Sequence, residues 1–287
     1  MRVAAVQVNT TADLATNIRT AHEQVRAAAA DGAKLVVLPE KWALLGSEKD
    51  LRAGAEALDG PIVSDIRELA RALSIDLVAG SYSERVEGEE KLRNTSLHIG
   101  PDGELKAVYR KMHMFDADLD GREYCESAVE EPGEEIVTSV TADGVELGLS
   151  ICYDVRFPEL YRALALRGAR ILLVPAAFKV PTTRDHWEIL LRARAIEQQA
   201  FVIGANQIGP HPGDMRSGGR SLIADPWGIV LATAPDRVGY VVADLDLEAQ
   251  ERIRRELPSL ANARLARRVM AETESQSHPR REQQRRL

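Results

Sequence analysis

Two eight-residue segments, GAKLVVLP at 32–39 and GARILLVP at 168–175, are near copies of one another. Each has a helix-stopping glycine, a run of four large apolar residues too short for a helix, and a proline directly after them. That is the pattern of a buried strand. In the first half, residues 3–8 read as a strand by their β-branched content. Leu14, Ile18, Ala21, Val25 and Ala28 then recur at helical spacing up to Gly32. In the second half, residues 145–151 form an apolar run after the Asp143-Gly144 turn, and a helix over 160–167 is opened by Pro158 and stopped by Gly168. A chain that writes strand–helix–strand twice is expected to build two related sheets packed together in one domain. The class is α/β, with mixed sheets and helices on their outer faces.

The remaining elements fit between and after these units. Asp59-Gly60-Pro61 opens a helix that puts Ile62, Ile66, Leu69 and Leu73 on one face, and residues 77–79 follow as a strand. Residues 95–99 and 104–109 flank Pro101-Asp102-Gly103 as a hairpin. A polar loop over 116–133 carries Glu123, Cys125 and Glu126. A long helix is expected over 186–199, strands over 201–205 and 240–245, and a hairpin at Asp225-Pro226-Trp227-Gly228. Residues 1–260 are read as the folded domain and 261–287 as an extension. The last stretch, 272–287, has four Arg, three Glu and no apolar residue except Leu287, so it is expected to be mobile.

Composition removes several classes of function. The net charge of −7 and the absence of an Arg/Lys-dense stretch in the body argue against a nucleic-acid partner. Cys125 and Cys152 are too few for a disulfide framework and have no zinc-like spacing, which fits reduced thiols and a cytoplasmic location. The opening MRVAAVQVNT is too short an apolar run for a signal peptide, and the longest apolar run, 171–178, falls far short of a membrane span.

Cys152 sits where a strand ends and a helix is about to begin, near backbone N–H groups free to receive negative charge. Cysteine is the intrinsically strongest side-chain nucleophile, once something takes its proton. His22, His113, His186 and His278 offer no spacing that singles out a base. Two other charges stand at strand ends: Glu40 directly after LVVLP, and Lys111 just past a hairpin arm. In a low dielectric such a carboxylate can accept a thiol proton, and an ammonium can hold a developing oxyanion. Position alone leaves open that these are a buried small hydrophobe and two solvated loop ends.

The segments LVVLPE (Glu40), YRKMHMFD (Lys111) and SICYDVRFPE (Cys152) together resemble the nitrilase, or carbon–nitrogen hydrolase, superfamily. HWEILLRARAIEQQ from His186 and ADPWG around Trp227 extend the resemblance over about residues 1–260. The resemblance implies a four-layer αββα sandwich of two mixed sheets with outer helices, pairing as a homodimer or a higher homo-oligomer. It implies Glu40 as general base, Cys152 as nucleophile, and Lys111 with the Tyr153 N–H as oxyanion holders. It also implies Glu126 as a second acid that orients Lys111, with Glu123 the runner-up, and no cofactor or metal. Cys-Tyr-Asp in place of Cys-Trp-Glu points to amides over nitriles. CYDVRFPE is similar to omega-amidases and to the amidase acting on deaminated glutathione, with Arg156 matching the arginine that receives the substrate carboxylate. Phe178 and Thr182 are expected to border the substrate. Thr183 and Arg220 depart from the residues usual in such amidases, and an extra cation at Arg184 or Arg220 would favour a dicarboxylate-like or carbamoyl amino acid substrate. The expected activity is hydrolysis of the terminal amide of small carboxylate-bearing substrates to acid and ammonia through a thioester. The alternatives are an N-carbamoyl amino acid amidohydrolase and a non-catalytic metabolite-binding scaffold.

Overall fold

The computed structural model describes residues 1–119, 121–265 and 268. The stretch from about 272, and His278 with it, lies outside the described residues. The chain opens with β1 (Arg2–Gln7), and α1 (Leu14–Ala30) follows, capped by the Asp13 side chain on the Thr16 N–H. Then come β2 (Leu35–Val37), α2 (Glu48–Gly54), α3 (Pro61–Leu73), β3 (Asp76–Val78), β4 (Tyr82–Glu84), β5 (Arg93–Ile99) and β6 (Leu105–Arg110). A hairpin of β7 (Asp116–Leu119) and β8 (Arg122–Cys125) leads to a 3₁₀ turn at Glu126–Ala128.

The second half begins with β9 (Thr138–Val140), β10 (Glu146–Leu149), a 3₁₀ turn at Cys152–Arg156, α4 (Pro158–Leu166) and β11 (Ile171–Ala176). A single turn, α5 (Val180–Thr182), and a π turn at Thr183–Trp187 lead into α6 (Glu188–Gln198) and β12 (Phe201–Asn206). The small hairpin of β13 (Ile208–His211) and β14 (Met215–Gly218) precedes β15 (Leu222–Ala224) and β16 (Val230–Thr233). Finally β17 (Gly239–Asp244) returns to pair antiparallel with β1, ahead of α7 (Leu247–Glu256).

One sheet runs β17-β1-β2-β3-β5-β4 with β6 on β5, and the other runs β16-β15-β12-β11-β10-β9. The repeated segments occupy matching places: β2 lies between its parallel neighbours β1 and β3, and β11 between its parallel neighbours β10 and β12. Alternation along the strands assigns the layers. Ala4, Val6, Val36 and Leu38 pack with Val25 of α1 and Ile66 of α3. Val3, Ala5, Leu35 and Val37 instead join the core of the second sheet. That core continues onto Leu160 and Leu164 of α4 and Leu191 of α6, so the molecule is an αββα sandwich. Gly204 allows this close approach of α6: a Cβ there would meet Leu191 Cδ1 at 2.6 Å and Trp187 Cζ2 at 2.8 Å.

Two local expectations are corrected. The loop expected over 116–133 contains the β7–β8 hairpin, whose alternation lacks a buried apolar face and so leaves no strand signal. The helix expected from residue 186 is preceded by helical turns from Val180, because Pro181 sits where a missing N–H costs nothing and Thr183 back-bonds to the Phe178 carbonyl.

Candidate active site

Open α/β sheets place ligands beyond the carboxyl ends of their parallel strands. Here Glu40 follows β2, Cys152 follows β10 and Ala177 follows β11, while Lys111 follows the antiparallel arm β6. All of them line one cavity of about 240 Å3. Lys111 Nζ lies 3.1 Å from Glu40 Oε1 and 2.7 Å from each Glu126 oxygen. The second Glu40 oxygen accepts the Ala177 N–H at 2.8 Å, and the Phe115 N–H donates to Glu126 at 2.6 Å. Glu40 and Lys111 are 5% and 2% exposed, so this is an ion cluster with little solvent to screen it.

The local chain sets the nucleophile's position. Cys152 has φ +50°, in the left-handed region that costs a non-glycine residue roughly 1–3 kcal/mol. Asp154, fully buried, holds that turn. Its Oδ2 accepts the Ile151 N–H at 2.8 Å and the Tyr109 hydroxyl at 2.7 Å. Its Oδ1 accepts the His113 N–H at 3.0 Å and faces His113 Nδ1 at 2.7 Å.

Electrostatics follow from burial and neighbours. Burial pushes the Cys152 thiol well above the ordinary cysteine value, and the Glu40 charge adds to this against Lys111. The resting group is therefore a neutral thiol beside a carboxylate. Burial works against the Lys111 ammonium, but Glu126 and Glu40 override it and raise its pKa well above the usual lysine value. Burial likewise opposes the Glu126 carboxylate, yet Lys111 holds it down to about 2. Burial raises Glu130, the next acid along, to about 7 despite the Lys41 ammonium.

Eight of the residues read as site candidates line this cavity. Glu40, Lys111, Cys152 and Glu126 form its floor, and Tyr153, Arg156, Phe178 and Thr182 belong to its lining. Glu123 does not; it is exposed on β8 and absent from the lining. The histidines are also elsewhere. His113 stacks on Phe157 at 3.7 Å between centroids, His22 pairs with Asp65 at 2.8 Å, and exposed His186 meets Arg156 at 3.3 Å. Arg184 and Arg220, expected as extra pocket cations, lie outside the lining: Arg184 pairs with its neighbour Asp185, and Arg220 presents its carbonyl to Trp187. Thr183 is buried under the cavity wall on the Phe178 carbonyl. Among the described residues no cluster of three or more His, Cys, Asp or Glu is placed to hold a metal ion.

The cations that do line the cavity are Arg156, Lys41 and Lys179, beside Lys111. Lys41 is ion-paired with Glu130. Half-buried Lys179 has its Nζ 5.5 Å from the Tyr124 ring centre and 3.7 Å from Met215 Sδ, and burial lowers its pKa. Arg156 lies 5.2 Å from the Phe178 ring and 5.8 Å from the Tyr153 ring. Neither Lys179 nor Arg156 has a carboxylate within ion-pair distance among the described residues.

Sequence reasoning passed over Asn94, Lys41, Glu130, Asp154 and Lys179. Asn94 Nδ2 bridges Glu40 at 2.9 Å and Glu126 at 3.1 Å. Its signal was available: an asparagine inside the β5 run RNTSLHI is a poor strand former at a buried position.

The carbon-nitrogen hydrolase family model matches residues 2–255. The deaminated glutathione amidase of Synechocystis is 40% identical over 260 residues, covering 90% of this chain and 96% of that protein. The crystal structure of the C. elegans NitFhit protein superposes with a TM-score of 0.84 at 36% identity; the match covers 92% of this chain and 65% of that longer one. An amidase from Nesterenkonia sp. AN1, solved as a glutamate-to-glutamine mutant with acrylamide added to its active-site cysteine, gives a TM-score of 0.75 at 31% identity over 90% of this chain and 98% of that one. The chain belongs to the carbon–nitrogen hydrolase family, within the nitrilase superfamily, and is an enzyme acting on amides.

Proposed function

We propose that the protein is a thiol amidase that opens the C–N bond of small carboxylate-bearing amides through a thioester on Cys152. The observation that carries this reading is the meeting of Glu40, Lys111 and Cys152, from three separate segments, in one cavity beside an arginine with no acid partner among the described residues. Because the thiol rests neutral, its proton passes to Glu40 as sulfur attacks the carbonyl carbon. The oxyanion forms against Lys111 and the Tyr153 N–H. Glu126 can accept a single Lys111 hydrogen shared between its two oxygens, which leaves one ammonium hydrogen for the oxyanion. Glu40 then returns the proton to the leaving nitrogen, the C–N bond breaks, and the amine or ammonia departs. Water, deprotonated by Glu40, attacks the thioester; the acid leaves and the thiol is restored.

Substrate class follows from the walls. Phe115, Tyr124 and Tyr153 give an aromatic side, with Phe115 5.1 Å from Tyr153 and 5.3 Å from Tyr124. Arg156 suits one carboxylate by its planar fork. Lys179 supplies a second anion contact, since Arg184 and Arg220 do not line the cavity. The relatives' substrate name fits two anions, since glutathione carries two carboxylates. Glutathione has no primary amide, so cleavage of its deaminated form releases an amine, and an assay for ammonia alone would miss it. Exposed Ile189 and Ile196 on α6, with Trp227 and Ile229 in the adjoining turn, support a homodimer through that face. Two unpaired cysteines support a cytoplasmic site, and among the described residues no helix is long and apolar enough to cross a membrane.

The test is a panel of ω-amides, N-carbamoyl amino acids and deaminated glutathione, followed by mass detection of the acid product. Turnover of the carboxylate-bearing amides that disappears in Cys152→Ala supports the reading. Carbon dioxide release from carbamoyl substrates faster than any amide turnover replaces it, and no turnover of any member contradicts it.

A further inference from the structure

Beside the cluster just described lies a second buried ion pair that the mechanism leaves unused. Lys41 directly follows Glu40 and has φ +56°, again in the left-handed region. Its N–H donates to Ser81 Oγ at 3.1 Å and its ammonium to Ser83 Oγ at 2.9 Å on β4. The same ammonium pairs with Glu130, and the two side chains are 6% and 3% exposed. Glu130 in turn lies one turn beyond Glu126: its N–H donates to the Glu126 carbonyl at 2.9 Å, which brings the two carboxyls to the same wall of the cavity. The groups thus close a ring, from Glu40 through Lys111, Glu126, Glu130 and Lys41 back to Glu40 along the backbone.

This ring holds three carboxyls and two ammoniums. It is neutral only while one carboxyl keeps a proton. Glu126 has Lys111 on both oxygens, and Glu40 has Lys111 on one and the Ala177 N–H on the other, whereas Glu130 has a lysine on one oxygen and, among the described residues, no backbone N–H on the second. We propose that Glu130, set by Lys41, is a positioning residue for the amidase reaction: its protonated carboxyl donates to Glu126, keeps that carboxylate on Lys111, and holds the buried ring neutral. The inference rests on the thiol-amidase reading for its turnover arm. Ionised, Glu130 loses that hydrogen bond and adds a negative charge to a site that must build a thiolate and then an oxyanion. The charged groups facing Glu130 are Lys41, from the segment after β2, and Glu126 on its own turn; β4 presents only the Ser83 hydroxyl, and Lys111 stands behind Glu126. Its raised titration, at about 7, agrees with this placement.

The experiment compares wild type, Glu130→Gln, Lys41→Met and Lys41→Arg from pH 5.5 to 9. It reads kcat/KM on an ω-amide and, independently of any substrate, the rate at which iodoacetamide alkylates Cys152. Glutamine mimics the neutral acid, so the ratio of Glu130→Gln to wild type is near one at pH 5.5 and rises across pH 7. At pH 8.5 only about 3% of the wild-type carboxyl keeps its proton, which sets a ceiling of about 30-fold on the turnover ratio. Lys41→Met removes the charge that favours ionised Glu130 and moves the wild-type step up by at least about one pH unit; Lys41→Arg restores it. A Glu130→Gln ratio within twofold of one at every pH overturns the proposal. So does a loss of equal size at every pH, the mark of a packing role, or a step that Lys41→Met leaves in place. If Glu130→Gln does not fold, the Lys41 pair alone decides. Alkylation that follows these rules without turnover upholds the positioning role while refuting the substrate class.

Discussion

Replacing Asp154 by Asn changes almost no volume but reverses the hydrogen-bonding of one arm, and the structure allows the cost to be worked out. Oδ2 faces the Ile151 N–H and the Tyr109 hydroxyl, and Oδ1 faces the His113 N–H and Nδ1. The tyrosine hydroxyl can rotate and the histidine can change tautomer, but neither backbone N–H can reverse. Whichever way the amide turns, its NH2 abuts one buried backbone donor. The loss is one charge-assisted hydrogen bond plus one unsatisfied donor, together about 3–5 kcal/mol. That is a large fraction of the roughly 5–15 kcal/mol that typically separates folded from unfolded. Both contacts brace the carboxylate that holds the turn at Cys152, whose backbone is strained, so losing either loosens that turn and turnover falls by about 100-fold as the sulfur shifts. Urea unfolding followed by circular dichroism gives the first quantity and kcat/KM the second. An Asp154→Asn enzyme within about 1 kcal/mol of wild type and with undiminished kcat would refute the view that Asp154 holds the nucleophile's turn.

Other outcomes follow from the same geometry. Lys111→Met lowers kcat by about 10³-fold or more, since it removes an oxyanion donor and leaves Glu40 and Glu126 facing each other; steady-state kinetics on an ω-amide measures this. Glu126 is held at about 2, below its unfolded value, so the stability it draws from Lys111 is present above about pH 4.5 and is lost as the pH falls toward 2. Acid unfolding of Lys111→Met therefore lacks that part of the wild-type decline. Glu130 has the opposite sign: raised to about 7, it costs wild type stability as the pH rises from 4.5 through 7, so Glu130→Gln gains on wild type in denaturant midpoint at pH 8 but not at pH 5. Lys179→Met raises KM about 10- to 100-fold for amides with two carboxylates and leaves single-carboxylate amides unchanged, a split read from KM across the panel.

The sandwich was legible because its central strands are written twice. A short apolar run bounded by glycine and proline has few other uses, and β2 and β11 duly sit at the centre of two parallel trios. Glu40 and Lys111 were visible as charges fixed at strand ends, and Cys152 as a thiol at a strand-to-helix turn. The supporting residues were not. Lys41 meets Glu130 across 89 positions, and Asp154 reaches Tyr109 across 45, and nothing in local periodicity encodes such pairs. The β7–β8 hairpin escaped for a related reason: its residues alternate between half-buried and exposed, so hydrophobic patterning has no contrast to display. Arg156 lines the pocket as expected, while Lys179 takes the place for which Arg184 and Arg220 were weighed, because loop sequence shows which residues are near a site but not which of them line it.

Cys125 provides an internal control for the main claim, because it lines the same cavity as Cys152 and is exposed. The decisive measurement is a rapid acid quench of enzyme with a turned-over amide, followed by peptide mass mapping of both thiols. The account predicts a mass increase equal to the acyl group on Cys152 alone, rising and falling within one turnover. An acyl group on Cys125, or turnover that persists in Cys152→Ala, would contradict it.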